Sequence, residues 1–172
     1  MAKENSMLFG LTPLGVFHTI ISLLAVVFGA VALWRDGRIS PRNRLGQAYV
    51  IGTLISCVTA LGIFQHGGFG KPHALALITL ATLLLALLAE FKGVFGGKAA
   101  HVSAIGLSAT FLFHWIPAIT ETSTRLPLGH PLLSSPDAPS LQIATGVLLL
   151  LFIAGAARQW KIINAALKAG AA

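Results

Sequence analysis

Apolar residues gather in five blocks, running from about Leu14 to Trp34, Leu45 to Gln65, His73 to Val94, Val102 to Ile119 and Leu141 to Trp160. A helix rising 1.5 Å per residue needs about 20 residues to cross about 30 Å of hydrocarbon, so each block predicts one membrane-spanning helix. Turn formers fill the gaps: Gly37, Ser40 and Pro41 in the first, Gly67, Gly68, Gly70 and Pro72 in the second, Gly96 and Gly97 in the third. The fourth gap is longer, from about Thr120 to Ser140. Its Pro127, Pro131, Pro136 and Pro139 predict a non-helical connection. The Ala/Gly/Lys stretch at the C-terminal end reads as a frayed helix end. With no repeat, heptad array or second domain, the expectation is an all-α bundle of five transmembrane helices forming one domain over residues 1–172.

Composition agrees: 55% of the 172 residues are hydrophobic and 10% charged, against about 25% charged in a soluble domain. The net charge of +7 raises nucleic acid as a partner. The basic residues, however, fall in short runs between apolar blocks rather than along one polar face, which argues against it and makes the bilayer the expected partner. Arg35, Arg38, Arg42, Arg44, Lys92, Lys98, Arg158, Lys161 and Lys168 fall at one end of the predicted spans, and only Lys3, Lys71 and Arg125 at the other. By the positive-inside bias the N-terminus is expected outside and the C-terminus inside. Ala30-Val31-Ala32 resembles a signal-peptidase site. The apolar stretch is longer than a signal h-region and an arginine cluster follows, so an uncleaved first span is expected. Cys57, the only cysteine, excludes an intramolecular disulfide and reads as packing.

Five of the six histidines fall at the cation-poor end. His18 and His114 each lie about one turn inside a span, His66 and His73 flank the second connection, and His130 is in the fourth. Helical spacing places His18 in a stripe with Ser22, Ala25 and Gly29. The second span gives Gly52, Ser56, Thr59 and His66, and the fourth gives Ser103, Gly106, Thr110, His114, Pro117 and Glu121. Small and hydroxyl residues mark helix contacts in lipid, so these faces are expected to point inward. An ionisable group inside a span usually faces a cavity, partner or ligand. A neutral imidazole bonded to a serine or a carbonyl accounts equally well for His18. Interfacial or loop positions account for His66, His73 and His130 taken singly.

Imidazole is the commonest protein ligand for haem iron, Cu, Zn and Fe. A haem b needs one or two axial ligands on facing helices with small residues beside the ring. His18 and His114 fit as ligands, Gly15, Gly62 and Gly106 as close-approach positions, and Lys71 and Arg125 as propionate partners. His101 and His114 are 13 apart, a spacing seen in two-haem cytochromes, yet His101 has no second histidine at its own end. A copper or zinc site would instead draw on His66, His73, His114 and Glu121. Glu90, a carboxylate within the third span near its cation-rich end, is expected to pair with Lys92 at the interface. Trp34, Trp115 and Trp160 suit an aromatic belt. No hydrolase triad, HExxH helix or paired intramembrane carboxylates occur, so a hydrolase or proton-coupled pump has no positive evidence.

The segments FHTI (Phe17 to Ile20), HGGFGKPH (His66 to His73) and FHWIPAITETSTRLP (Phe113 to Pro127) resemble a group of small, uncharacterised bacterial membrane proteins. The resemblance implies a bacterial inner-membrane setting and no particular activity. Three functions follow as expectations. The first is an outward-facing haem or transition-metal binder for electron transfer or metal handling. The second is a small-solute transporter or channel, built by homo-oligomerisation. The third is an accessory or assembly subunit that binds partner membrane subunits.

Overall fold

The structure, a computed structural model, describes residues 11–64 and 68–170. These form an all-helical bundle of α1 (Pro13–Asp36), α2 (Arg44–Leu61), α3 (Lys71–Lys92), α4 (Ala99–Arg125) and α5 (Pro139–Lys168). Each of the five helices is long and apolar enough to cross a membrane. A 3-10 turn at Gly96–Lys98 leads into α4.

Local chemistry sets the helix ends. Thr12 caps α1 by accepting from the Gly15 N–H at 3.1 Å, and Pro13 occupies the first turn, where a missing N–H costs nothing. The helix stops at Gly37, whose φ of +68° turns its N–H back to the Leu33 carbonyl. Asn43 caps α2 through Gly46 N–H at 2.8 Å.

The helix ends fall within three residues of the sequence expectation at all but three boundaries. The second span ends at Leu61 rather than Gln65, where the Gly62 N–H folds back onto the Thr59 and Ala60 carbonyls. The fourth continues past Pro117 to Arg125. Proline removes only one N–H, and the helix resumes with the Thr120 and Thr124 hydroxyls donating to carbonyls four residues back. It stops at Leu126, held extended by the following Pro127. The fifth continues past Trp160 to Lys168.

In lipid there is little hydrophobic drive between helices, and association rests on close packing and hydrogen bonds. Helix α2 packs along α1, and α3 along α4. A Cβ at Gly52 would meet that of Ala25 at 3.0 Å, and one at Gly106 would meet that of Ala86 at 3.0 Å. Tyr49 fills the centre, fully buried with Ala25, Ala32, Leu83, Ala86 and Leu107. Helix α5 packs on α4 and leaves most of its length exposed, Leu150 and Leu151 at 67% and 64%. At the cation-rich end Glu90 pairs with Arg42, not Lys92. Residues two apart on a helix do not face each other, whereas the Arg42 guanidinium reaches both the Glu90 carboxylate and its main-chain carbonyl from the α1–α2 connection.

Candidate functional site

Helix α2 carries two polar faces, Ser56 and Thr59 toward its cation-poor end for the half-buried His18, and Tyr49 and Thr53 from its first half to its middle for the buried His114. Toward α1, His18 Nδ1 lies 3.0 Å from the Ser56 carbonyl and 3.0 Å from Thr59 Oγ1. The Thr59 hydroxyl gives its own proton to the Ile55 and Ser56 carbonyls, at 2.8 and 2.9 Å. Both neighbours of Nδ1 are therefore acceptors, and the network assigns the ring proton to Nδ1. In the neutral ring Nε2 then carries the lone pair. Among the described residues its one hydrogen-bonding neighbour is Ser22 Oγ at a marginal 3.5 Å, and that hydroxyl is also 2.7 Å from the His18 carbonyl and 2.6 Å from Ser56 Oγ.

Toward α4, His114 Nε2 lies 3.1 Å from Thr53 Oγ1, with Thr53 fully buried and His114 nearly so. One turn away, Thr110 donates to the Leu107 carbonyl at 2.8 Å and so accepts from the Tyr49 hydroxyl at 2.7 Å. The edge of the His114 ring meets Tyr49, centroids 6.1 Å apart. Both histidines thus meet α2, but not at the shared depth of one turn: α4 runs on to Arg125, which puts His114 about three turns inside its helix, whereas His18 lies between one and two turns inside α1.

The other candidates stand apart. His73 sits at the start of α3, stacked against Phe64 and Phe69 at 4.7 and 5.2 Å. Its Nδ1 accepts from Gly70 N–H at 3.2 Å, which puts the proton on Nε2. Glu121 is half exposed and paired with Arg125, and Lys71 with Asp137 at 2.7 Å. His130 is exposed, and His66 lies outside the described residues. Among the described residues no three His, Cys, Asp or Glu side chains gather to hold a metal ion. Two of the glycines proposed to flank a haem receive neighbouring helices instead: Gly62 faces Leu14, and Gly106 faces Ala86. His101, at the opposite end, bonds Asn164 at 3.0 Å and packs on Trp160.

Sequence reasoning missed Tyr49 and Thr53. The available signal was their i, i+4 spacing along α2 and the presence of the chain's only tyrosine inside an apolar block. No family model, no curated protein and no solved structure matches the chain.

Proposed function

We propose that His18 and His114 together hold a transition-metal ion or a haem iron at the outer side of a bacterial inner membrane, for electron transfer or metal handling. One observation carries this reading: His18 Nδ1–H is anchored on a main-chain carbonyl, which leaves Nε2 with an uncommitted lone pair. Ligating imidazoles are oriented in this way, since a carbonyl on the distal nitrogen fixes the tautomer and raises basicity. Neutral imidazoles also bring no net charge into the low-dielectric interior. A two-imidazole set has more support than the four-residue copper or zinc set, because His73 Nε2 carries a proton and Glu121 is engaged by Arg125.

The test is an absorption spectrum and metal content on protein purified from its membranes, with H18A and H114A alongside. A bound haem or metal that both substitutions remove is expected. A colourless, metal-free, folded protein whose melting temperature is unmoved by added haem, Cu or Zn refutes the proposal.

A second reading, an accessory subunit for a larger membrane complex, draws on α5, whose apolar face is exposed along most of its length. It calls for stable co-purification with a partner from native membranes. Consistent recovery of the protein alone would remove it. Transport has less support, since hydroxyls along the polar stripes pair with one another or with the histidines.

A further inference from the structure

Between the α1–α2 connection, the start of α4 and the last turns of α5 lies a crevice of about 240 Å³, room for several waters at about 30 Å³ each. Its floor is apolar, formed by Ala100, Ile162, Ile163 and Ala166. Ile162 is 50% exposed, so the floor runs on to the outer surface of α5. The wall is fixed by Gln159, whose buried amide donates to the Gly37 carbonyl and to Ser108 Oγ, both at 3.0 Å.

The rim is cationic. Arg38 lines it directly, and the Arg158 guanidinium lies 3.7 Å from where a Cβ on Gly37 would stand. The described residues give neither arginine a salt bridge. The rim's carboxylate, Asp36, is already bonded by Arg35 at 2.7 Å and by Asn43 at 3.1 Å. Glu90, beside Arg38 on the neighbouring surface, is paired with Arg42. Arg38 and Arg158, neither in an ion pair among the described residues, therefore stand with Asp36 over an apolar floor at the cation-rich end of the bundle. Guanidinium forks match phosphate oxygens, and basic pockets between spans at this end suit anionic headgroups.

We propose that this crevice seats one anionic phospholipid, its phosphodiester on Arg38 and Arg158 and the upper part of an acyl chain against Ile162 and Ile163. The site is independent of the histidine pair at the other end.

Native mass spectrometry of the full chain in non-ionic detergent tests it, with phosphatidylglycerol, phosphatidylcholine and soluble glycerol 3-phosphate as probes. Phosphatidylglycerol is expected to bind preferentially; R38Q and R158Q should each weaken it about fivefold and the double variant about 30-fold. R44Q removes a cation from the same end but outside the crevice lining and should leave binding unchanged. I163W fills the floor and should weaken both lipids. Melting curves establish that each variant is folded, and I163W with the single variants decides the matter if the double variant is not. The proposal is overturned if the arginine variants keep the preference within about twofold, if R44Q weakens binding as much, or if glycerol 3-phosphate binds as well as the lipid.

Discussion

Replacing Thr53 with valine keeps the side chain's shape and removes the hydroxyl that meets His114 Nε2 at 3.1 Å. Thr53 is fully buried and His114 is 8% exposed, so water cannot replace the lost partner. A buried polar atom left unsatisfied costs about 1–3 kcal/mol. Interhelical hydrogen bonds in membranes average nearer 0.6 kcal/mol and reach about 1.7, because the unfolded state in lipid also finds partners. The dryness of this site places the expected cost in the overlap of these ranges, about 1–1.7 kcal/mol. The assay is reversible unfolding of the detergent-solubilised protein by SDS, run as a double-mutant cycle with His114→Phe. In the H114F background Thr53→Val should cost less than half as much. Thr82 donates only to its own helix, at the Ile78 carbonyl, so T82V is the control and should be near neutral. An equal cost of T53V in both backgrounds, or none in either, would refute the contact that places His114.

Further outcomes follow from packing and topology. Gly29→Ala puts a Cβ 2.7 Å from Phe111 and 2.9 Å from Tyr49, which should destabilise by about 1–3 kcal/mol in the same assay. Gly146→Ala meets nothing within 4 Å and should be neutral or stabilising by up to about 1 kcal/mol; equal effects of the two would contradict the α1–α2–α4 packing. Cys57, 5% exposed, should react with a maleimide far more slowly than a cysteine placed at Leu132, 72% exposed in the connection between α4 and α5, and comparable rates would mean the interface around Cys57 is open to water. Tags on the two ends should report opposite sides of the membrane, the N-terminal one outside; detection on the same side rules out five spans.

Five apolar blocks were legible as five helices because length against bilayer thickness is a strong constraint and glycine and proline punctuate the gaps. The ends were less so. Pro117 and Pro127 look alike in sequence, yet one sits within α4 and the other ends the run of helix beside it. The difference depends on whether the rest of the turn can re-form hydrogen bonds, which composition does not record. The inward faces of His18 and His114 were readable from helical spacing, since hydroxyl and small residues share their stripes. Their partner was only half readable. The face of α2 holding Ser56 and Thr59 stood out, whereas Tyr49 and Thr53 acquire meaning only when α4 brings His114 against them. The Arg42–Glu90 pair was hidden for the same reason, because sequence proximity favoured Lys92 and the folded connection placed Arg42 nearer.

The claim that matters most for function is that His18 presents an unprotonated Nε2 within the membrane-spanning bundle. Ring ¹⁵N NMR on histidine-labelled protein, with H18Q to assign the signal, measures this directly. The expected spectrum has a protonated Nδ1 and a bare Nε2 for His18, with the Nε2 resonance shifted or broadened when haem, Cu or Zn is added. A proton on Nε2, or a signal that none of the three disturbs, would contradict it.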